Sequence, residues 1–232
     1  MPYIHFEYVA DVKKIVSQLG WEKFSIIGHS MGANVASLYA GAFPREVEKL
    51  ILFDFGGPPV SFADKTADVL AKYAAQMANL SSVTPRVYQS LESAAKRRQV
   101  NYVGGTLRKE DAMLLAERGS RITENGLIFS HDPIIKSGSP FIETQSLMMS
   151  VLTNTQCAVL VLGCTGLMLP TAEKEAQVER INVVYKNAKC KIRKRIKGGH
   201  HFHMENPKQV AQEIKQFLTF CRSQDQALQS KL

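Results

Sequence analysis

The chain has 232 residues, 45% of them hydrophobic, enough for one sizeable core with the composition of an ordinary soluble globular protein. Its formal charge of +8, from 29 Lys and Arg against 21 Asp and Glu, suits anionic partners in general and identifies none. Cys157, Cys164, Cys190 and Cys221 show no C-x-x-C spacing and no metal-ligand pattern, so they imply no disulfide framework and point to free thiols in a reducing compartment. The opening MPYIHFEYVADVKK lacks the pattern of a secretory leader, and no apolar run is long enough to span a bilayer.

In chain order, Phe6, Val9, Val12, Val16 and Leu19 recur at helical spacing over residues 3–19, and Gly20 follows as a stop. Residues 24–27 form a short apolar run that enters Gly28-His29-Ser30-Met31-Gly32, and a small-residue helix follows as far as Pro44. Residues 49–53 (KLILF) read as a second buried strand ending on Asp54, and GGPP at 56–59 forces the chain out of regular structure. Strand, helix and strand in this order indicate a parallel sheet.

Residues 59–154 read as a helical block, with helices at 63–79, 86–103, 109–118 and 140–152 and no buried strand between them. A block of this kind between two sheet strands is expected to form a cap over the C-terminal edge of the sheet. Strand character returns at 158–163 (AVLVLG), followed by a charged helix at 171–187. The basic run KCKIRKRIK at 189–197 sets Ile192 and Ile196 on one face and Lys191, Arg193, Arg195 and Lys197 on the other. That is the pattern of an edge strand blunted by cations, and it makes a nucleic-acid patch the weaker reading. Lys96, Arg97 and Arg98 read as a solvated helix face. A final helix runs from Pro207 to Cys221. The expected organisation is a first part of the core at 1–58, the cap at 59–154, a second part of the core at 155–221 and a flexible tail at 222–232.

G-x-S-x-G between a strand and a helix is the context in which this motif presents a nucleophile. The glycines are expected because side chains at 28 and 32 would strike the neighbouring strand and helix, so the tight turn holds Ser30 outward. The Met31 N–H, at the helix N-terminus, is placed to donate to the oxyanion formed when Ser30 attacks a carbonyl. A serine nucleophile needs a base. His5, His29 and His131 are poorly placed for it, and within GGHHFHMENP at 198–207 His200 takes that place, with His201 and His203 as rivals. A metal reading of the pair His200 and His203 finds no accompanying set with ligand spacing, so neither a metal nor another cofactor is expected.

The stretches GWEKFSIIGHSMGANVA, FPREVEKLILFD, LLAERG with GLIFSHDP, and GGHHFHMENP resemble the α/β-hydrolase superfamily. Within it, the segment LLAERG and GLIFSHDP is similar to the serine hydrolase-like family. The resemblance covers about residues 3–221. It implies Ser30 as nucleophile, His200 as base, no cofactor, and a hydrolase of undefined substrate. The superfamily usually carries its third catalytic group, a carboxylate, after the strand that here is AVLVLG, yet Cys164-Thr165-Gly166-Leu167-Met168 offers none before Glu173. Relatives similar to haloalkane dehalogenases place it after the strand that follows the nucleophile helix, where this chain has Asp54. The alternative for Asp54 is a turn or helix-capping role.

The resemblance also implies that the first four strands of the fold, and with them the second oxyanion donor, are absent, as in a fragment, a shortened isoform or an incomplete gene model. The leading functional expectation is a serine hydrolase acting on a small-molecule ester, thioester or amide. The alternative is a catalytically impaired or non-catalytic binding protein, because the N-terminal oxyanion half is missing, and no nucleic acid or membrane span is expected. The terminal Ser230-Lys231-Leu232 is the tripeptide read by the peroxisomal import receptor and implies a peroxisomal address, with the cytoplasm as fallback.

Overall fold

The computed structural model describes residues 3–56, 66–99, 107–137, 139–140, 143–166 and 171–229. Helix α1 (His5–Gln18) precedes strand β1 (Phe24–His29), helix α2 (Met31–Ala42) and strand β2 (Val47–Phe53). After the inserted block come β5 (Ala158–Cys164), α7 (Thr171–Lys186), β6 (Lys191–Ile196), the short α8 (Phe202–Glu205) and the long α9 (Pro207–Gln229). The strands form a four-stranded sheet in the order β1-β2-β5-β6 with every neighbouring pair parallel. The parallel sheet read from the alternation of strands and helices is thus present.

Successive side chains on a strand point to opposite faces, and here both faces are covered by helices. Leu50 and Leu52 of β2 pack with Val159 and Val161 of β5 against Val16 of α1, Ala33, Ala36 and Tyr39 of α2, and Ile181 and Val184 of α7. Ile51 and Phe53 turn the other way with Leu160 and Leu162, onto Phe202 of α8 and Val210, Phe217 and Cys221 of α9. Full burial of each large aliphatic contributes roughly 1.5–3 kcal/mol, so the continuous apolar runs of β2 and β5 fix them at the centre of the sheet. Small residues let α2 pack closely; a Cβ on Gly41 would lie 2.3 Å from the Val151 carbonyl oxygen.

At one edge, β6 exposes Lys191, Arg193 and Arg195 and buries Ile196, the arrangement expected of a cation-blunted edge strand. At the other edge is β1, whose Ile27 is 53% exposed. No helix among the described residues is long and apolar enough to cross a membrane.

The block between β2 and β5 contains α3 (Thr66–Ala78), α4 (Leu91–Gln99), α5 (Lys109–Gly119) and α6 (Gln145–Leu152). It has a small core of its own, built from Tyr88, Ala94, Ala95, Leu107, Ala112 and Ala116. Two features depart from the sequence reading. Strands β3 (Ser120–Thr123) and β4 (Gly126–Phe129) form an antiparallel hairpin where only helices are expected, because Glu124 and Asn125 make a two-residue turn before Gly126 at φ 127°. Helix α9 continues to Gln229 through the segment expected to be a flexible tail, since RSQDQALQ holds no glycine or proline to stop it. Ser230, Lys231 and Leu232, which carry the expected import signal, lie outside the described residues.

Candidate active site

In the parallel pairing of β1 with β2, His29 lies opposite Phe53, so the two chains leave the sheet side by side at Ser30 and Asp54. The turn at Ser30 is held by its own N–H, which donates to the Phe53 carbonyl at 3.0 Å, and Asp54 N–H donates to the Leu162 carbonyl at 2.8 Å. Both residues take a left-handed backbone, φ 55° at Ser30 and 47° at Asp54. Non-glycine residues rarely adopt this conformation, which costs on the order of 1–3 kcal/mol and persists where surrounding contacts enforce it.

Gly28 explains part of that enforcement. A Cβ there would stand 2.2 Å from the Gly32 carbonyl oxygen, so the first turn of α2 can sit directly on the end of β1 only if residue 28 has no side chain. Gly32 does not share this role. A Cβ at 32 would meet nothing within 4 Å, because the residue faces outward, which corrects the symmetrical reading of the two glycines. Met31 is the first residue of α2, and its N–H is among the donors that a helix N-terminus leaves without an intrahelical acceptor.

The loop after β6 brings the third residue. His200 Nε2 lies 2.8 Å from Ser30 Oγ, and His200 Nδ1 lies 2.5 Å from Asp54 Oδ2. The carboxylate can only accept, so Nδ1 carries the proton and Nε2 presents its lone pair to the Ser30 hydroxyl. Asp54 is 6% exposed, and its carboxylate is also met by the Cys164 N–H at 3.4 Å and the Cys164 thiol at 3.6 Å. The end of β5 therefore contributes donors to the carboxylate rather than a carboxylate of its own. Thr165 is engaged elsewhere, accepting from the Gly198 N–H at 3.4 Å, and Asp132 pairs with the Tyr3 hydroxyl and caps Ile134.

Several supporting residues escape the sequence reading. Glu205 accepts from the Gly199 N–H at 3.2 Å, and Asn206 donates to the Lys197 carbonyl at 2.8 Å, closing the loop around His200. Gly198, at φ 139°, leaves room for that glutamate, since a Cβ there would lie 2.5 Å from Glu205 Oε2. From the inserted block, Arg108 donates to the Met204 carbonyl at 2.6 Å while its Nε holds Asp111 at 2.7 Å. The basic helix face at Lys96, Arg97 and Arg98 is exposed, and the Arg98 guanidinium, 5.6 Å from the centre of the Phe129 ring, is near enough to His201 to add to the effect of burial in lowering its pKa.

His29, set aside as a base, is nevertheless part of the site. Its Nε2–H donates to the His200 carbonyl at 2.8 Å, and its ring lies 4.7, 5.0 and 4.3 Å from the rings of His200, His201 and His203. Burial lowers the pKa of His29 and of His201 to about 4 each, and that of His203 in the same direction. His201 and His203, the rivals for the base, are not within hydrogen-bonding reach of Ser30. The signal for His29 was its place directly before the serine, at the end of a strand that opens onto the histidine loop.

A serine on a strand-to-helix turn of a parallel sheet, with a histidine and an aspartate from two later loops, is the site of the α/β-hydrolase class. A family model described as "alpha/beta hydrolase fold" matches residues 2–106. The chain is 30% identical over 215 residues to "Serine hydrolase-like protein" of Danio rerio, covering 91% of this chain and 65% of that protein. It is 24% identical to "Serine hydrolase-like protein 2" of Homo sapiens, covering 94% and 72%. Among solved structures, a "hypothetical protein" from Pseudomonas aeruginosa PAO1 superposes with a TM-score of 0.75 at 30% identity, covering 88% of this chain and 69% of that one. A thioesterase domain from the curacin biosynthetic pathway shares the fold with a TM-score of 0.71 at 21% identity, covering 94% and 74%. The chain has the α/β-hydrolase fold and is similar over nine tenths of its length to proteins of the serine hydrolase-like family. It spans about two thirds of the length of these relatives.

Proposed function

We propose that the chain is a serine hydrolase that cleaves a small-molecule ester, thioester or amide. The observation that carries this reading is the continuous line Asp54 Oδ2, His200 Nδ1, His200 Nε2, Ser30 Oγ, with steps of 2.5 and 2.8 Å. Ser30 Oγ attacks the carbonyl carbon while its proton passes to His200 Nε2, and the Asp54 carboxylate stabilises the imidazolium that forms. The Met31 N–H, at the start of α2, donates to the developing oxyanion. The leaving group departs with the proton from Nε2, and a water activated by the same nitrogen releases the acyl group from Ser30. A serine in place of an aspartate as the attacking residue disfavours haloalkane and epoxide chemistry. The inserted block acts as the cap that limits the substrate, and Arg108 ties it to the histidine loop.

The test is turnover of a panel of p-nitrophenyl acyl esters by the purified chain and by Ser30→Ala. Hydrolysis that disappears in the variant supports the proposal. Turnover unchanged in Ser30→Ala refutes Ser30 as the nucleophile, and none across the panel refutes the proposal in favour of a binding role.

A further inference from the structure

The three histidines around the loop that are not assigned to proton transfer have ligand atoms within 4.8 Å of one another. His29 comes from the end of β1, and His201 and His203 come from the histidine loop and α8. All three are half-buried, so an ion could reach them while much of their hydration is removed. His29 is already in the state that a ligand requires. Its Nε2–H is committed to the His200 carbonyl, which leaves the lone pair on Nδ1 and fixes the ring, the arrangement that metal-binding histidines use to orient themselves. His203 adds an independent sign, because its Nδ1 is buried with no hydrogen-bond partner among the described residues. A buried ring nitrogen left without a partner carries a desolvation cost that a ligated cation removes.

We propose that His29, His201 and His203 form a binding site for a transition-metal dication of the zinc class, separate from Ser30, His200 and Asp54. Borderline-soft imidazole nitrogens select this class over magnesium or calcium. Three of them leave a fourth position for water or an anion. Zinc–nitrogen bonds of about 2.0–2.1 Å bring tetrahedral ligand atoms to roughly 3.4 Å apart, so the rings must close by about 1 Å or somewhat more from the widest spacing the cluster allows. Ring rotation and a small shift of the loop supply that movement. The carboxylates of Asp111 and Glu205 lie near enough to act on His203, and Asp111 also on His201, and they favour a cation there against the opposing charge of Arg98, which acts on His201. The spacing H-H-x-H in sequence points to a metal only when His29 is added from a strand more than 170 residues earlier, which is why the pair His200 and His203 taken alone did not.

The experiment uses the intact chain stripped with EDTA and titrated with cobalt(II), followed by displacement with zinc. One equivalent of cobalt per chain should give the visible absorption of a four-coordinate nitrogen and oxygen site, and zinc should bleach it. His201→Ala and His203→Ala should each weaken binding by on the order of 100-fold or more, whereas Ser30→Ala should leave it intact. Because that last variant removes the nucleophile, the metal site and the hydrolase reading fail independently. A second measurement needs no variant: long-range proton–nitrogen NMR of the histidine rings should show three rings shifted by zinc in the native chain. No saturable binding, a near-ultraviolet thiolate band from the cysteines, undiminished binding in both histidine variants, or no shifted rings would overturn the proposal.

Discussion

Ser30 and Asp54 leave adjacent parallel strands one step beyond the paired residues His29 and Phe53, and both do so with a left-handed backbone. The sheet therefore delivers a hydroxyl and a carboxylate to the same edge, on either side of the His200 ring. A carboxylate at the end of β2 can replace one at the end of β5 because the two strands are neighbours in the sheet.

Asp54→Asn keeps the size of the side chain but can donate to Nδ1, which favours the wrong tautomer of His200. Ester turnover is expected to fall by about 10,000-fold, as in the serine-protease case, with little change in KM. Steady-state kinetics on the best ester of the panel check this, alongside circular dichroism to show that the fold survives. A loss of less than tenfold would assign the carboxylate to turn geometry alone.

The two glycines of the elbow should separate cleanly. Gly28→Ala forces a Cβ against the Gly32 carbonyl and is expected to destabilise the chain by on the order of 3 kcal/mol or more. Gly32→Ala enters open space on a helix and is expected to be neutral or to stabilise by up to about 1 kcal/mol. Urea denaturation of both variants measures the difference, and equal losses would contradict it.

The strand, turn and helix over residues 24–42, the strand ending on Asp54, and the Gly198-Gly199-His200 loop were legible because each is local. Apolar runs of strand length, glycines at fixed offsets and chain order are properties of neighbouring residues. The hairpin at Ser120–Phe129 was not read, although Asn125-Gly126 is a hairpin signal, because its four-residue strands are too short to show alternation. Helix α4 begins only at Leu91, where Ser90 and Ser93 cap each other, rather than at 86. Arg108 and His29 meet the histidine loop across 96 and 171 residues, and no local pattern carries such contacts.

Glu205 braces the loop that carries His200. Its removal in Glu205→Ala frees the Gly199 N–H and should speed amide exchange across residues 198–206 while leaving the sheet protected. Turnover should fall by on the order of 10-fold to 100-fold through misplacement of the imidazole. Hydrogen exchange read by mass spectrometry, with kinetics on the same sample, would show unchanged loop protection if the glutamate has no such part.

Glu46 joins α1 to α2, accepting from Lys13 at 2.6 Å and from the Tyr39 hydroxyl at 2.6 Å, and these two bonds lower its pKa below 4.5. A carboxyl whose pKa is depressed on folding stabilises above its unfolded value, and the contribution is lost as pH falls through the folded one. The group is partly open to solvent, so Glu46→Gln should cost only about 1 kcal/mol at pH 7. Melting curves of the two chains should differ at neutral pH and converge as the pH drops below 4.5. A gap that persists in acid would show that charge is not what binds the helices there.

The most direct measurement is covalent labelling of the purified chain with a fluorophosphonate, followed by intact mass and peptide mapping. An Oγ activated by His200 should take one phosphonyl group on Ser30, in the peptide containing GHSMG, and the label should be absent in Ser30→Ala and slowed by orders of magnitude in His200→Ala. No label on Ser30, or equal labelling rates with and without the imidazole, would contradict a working nucleophile at this turn.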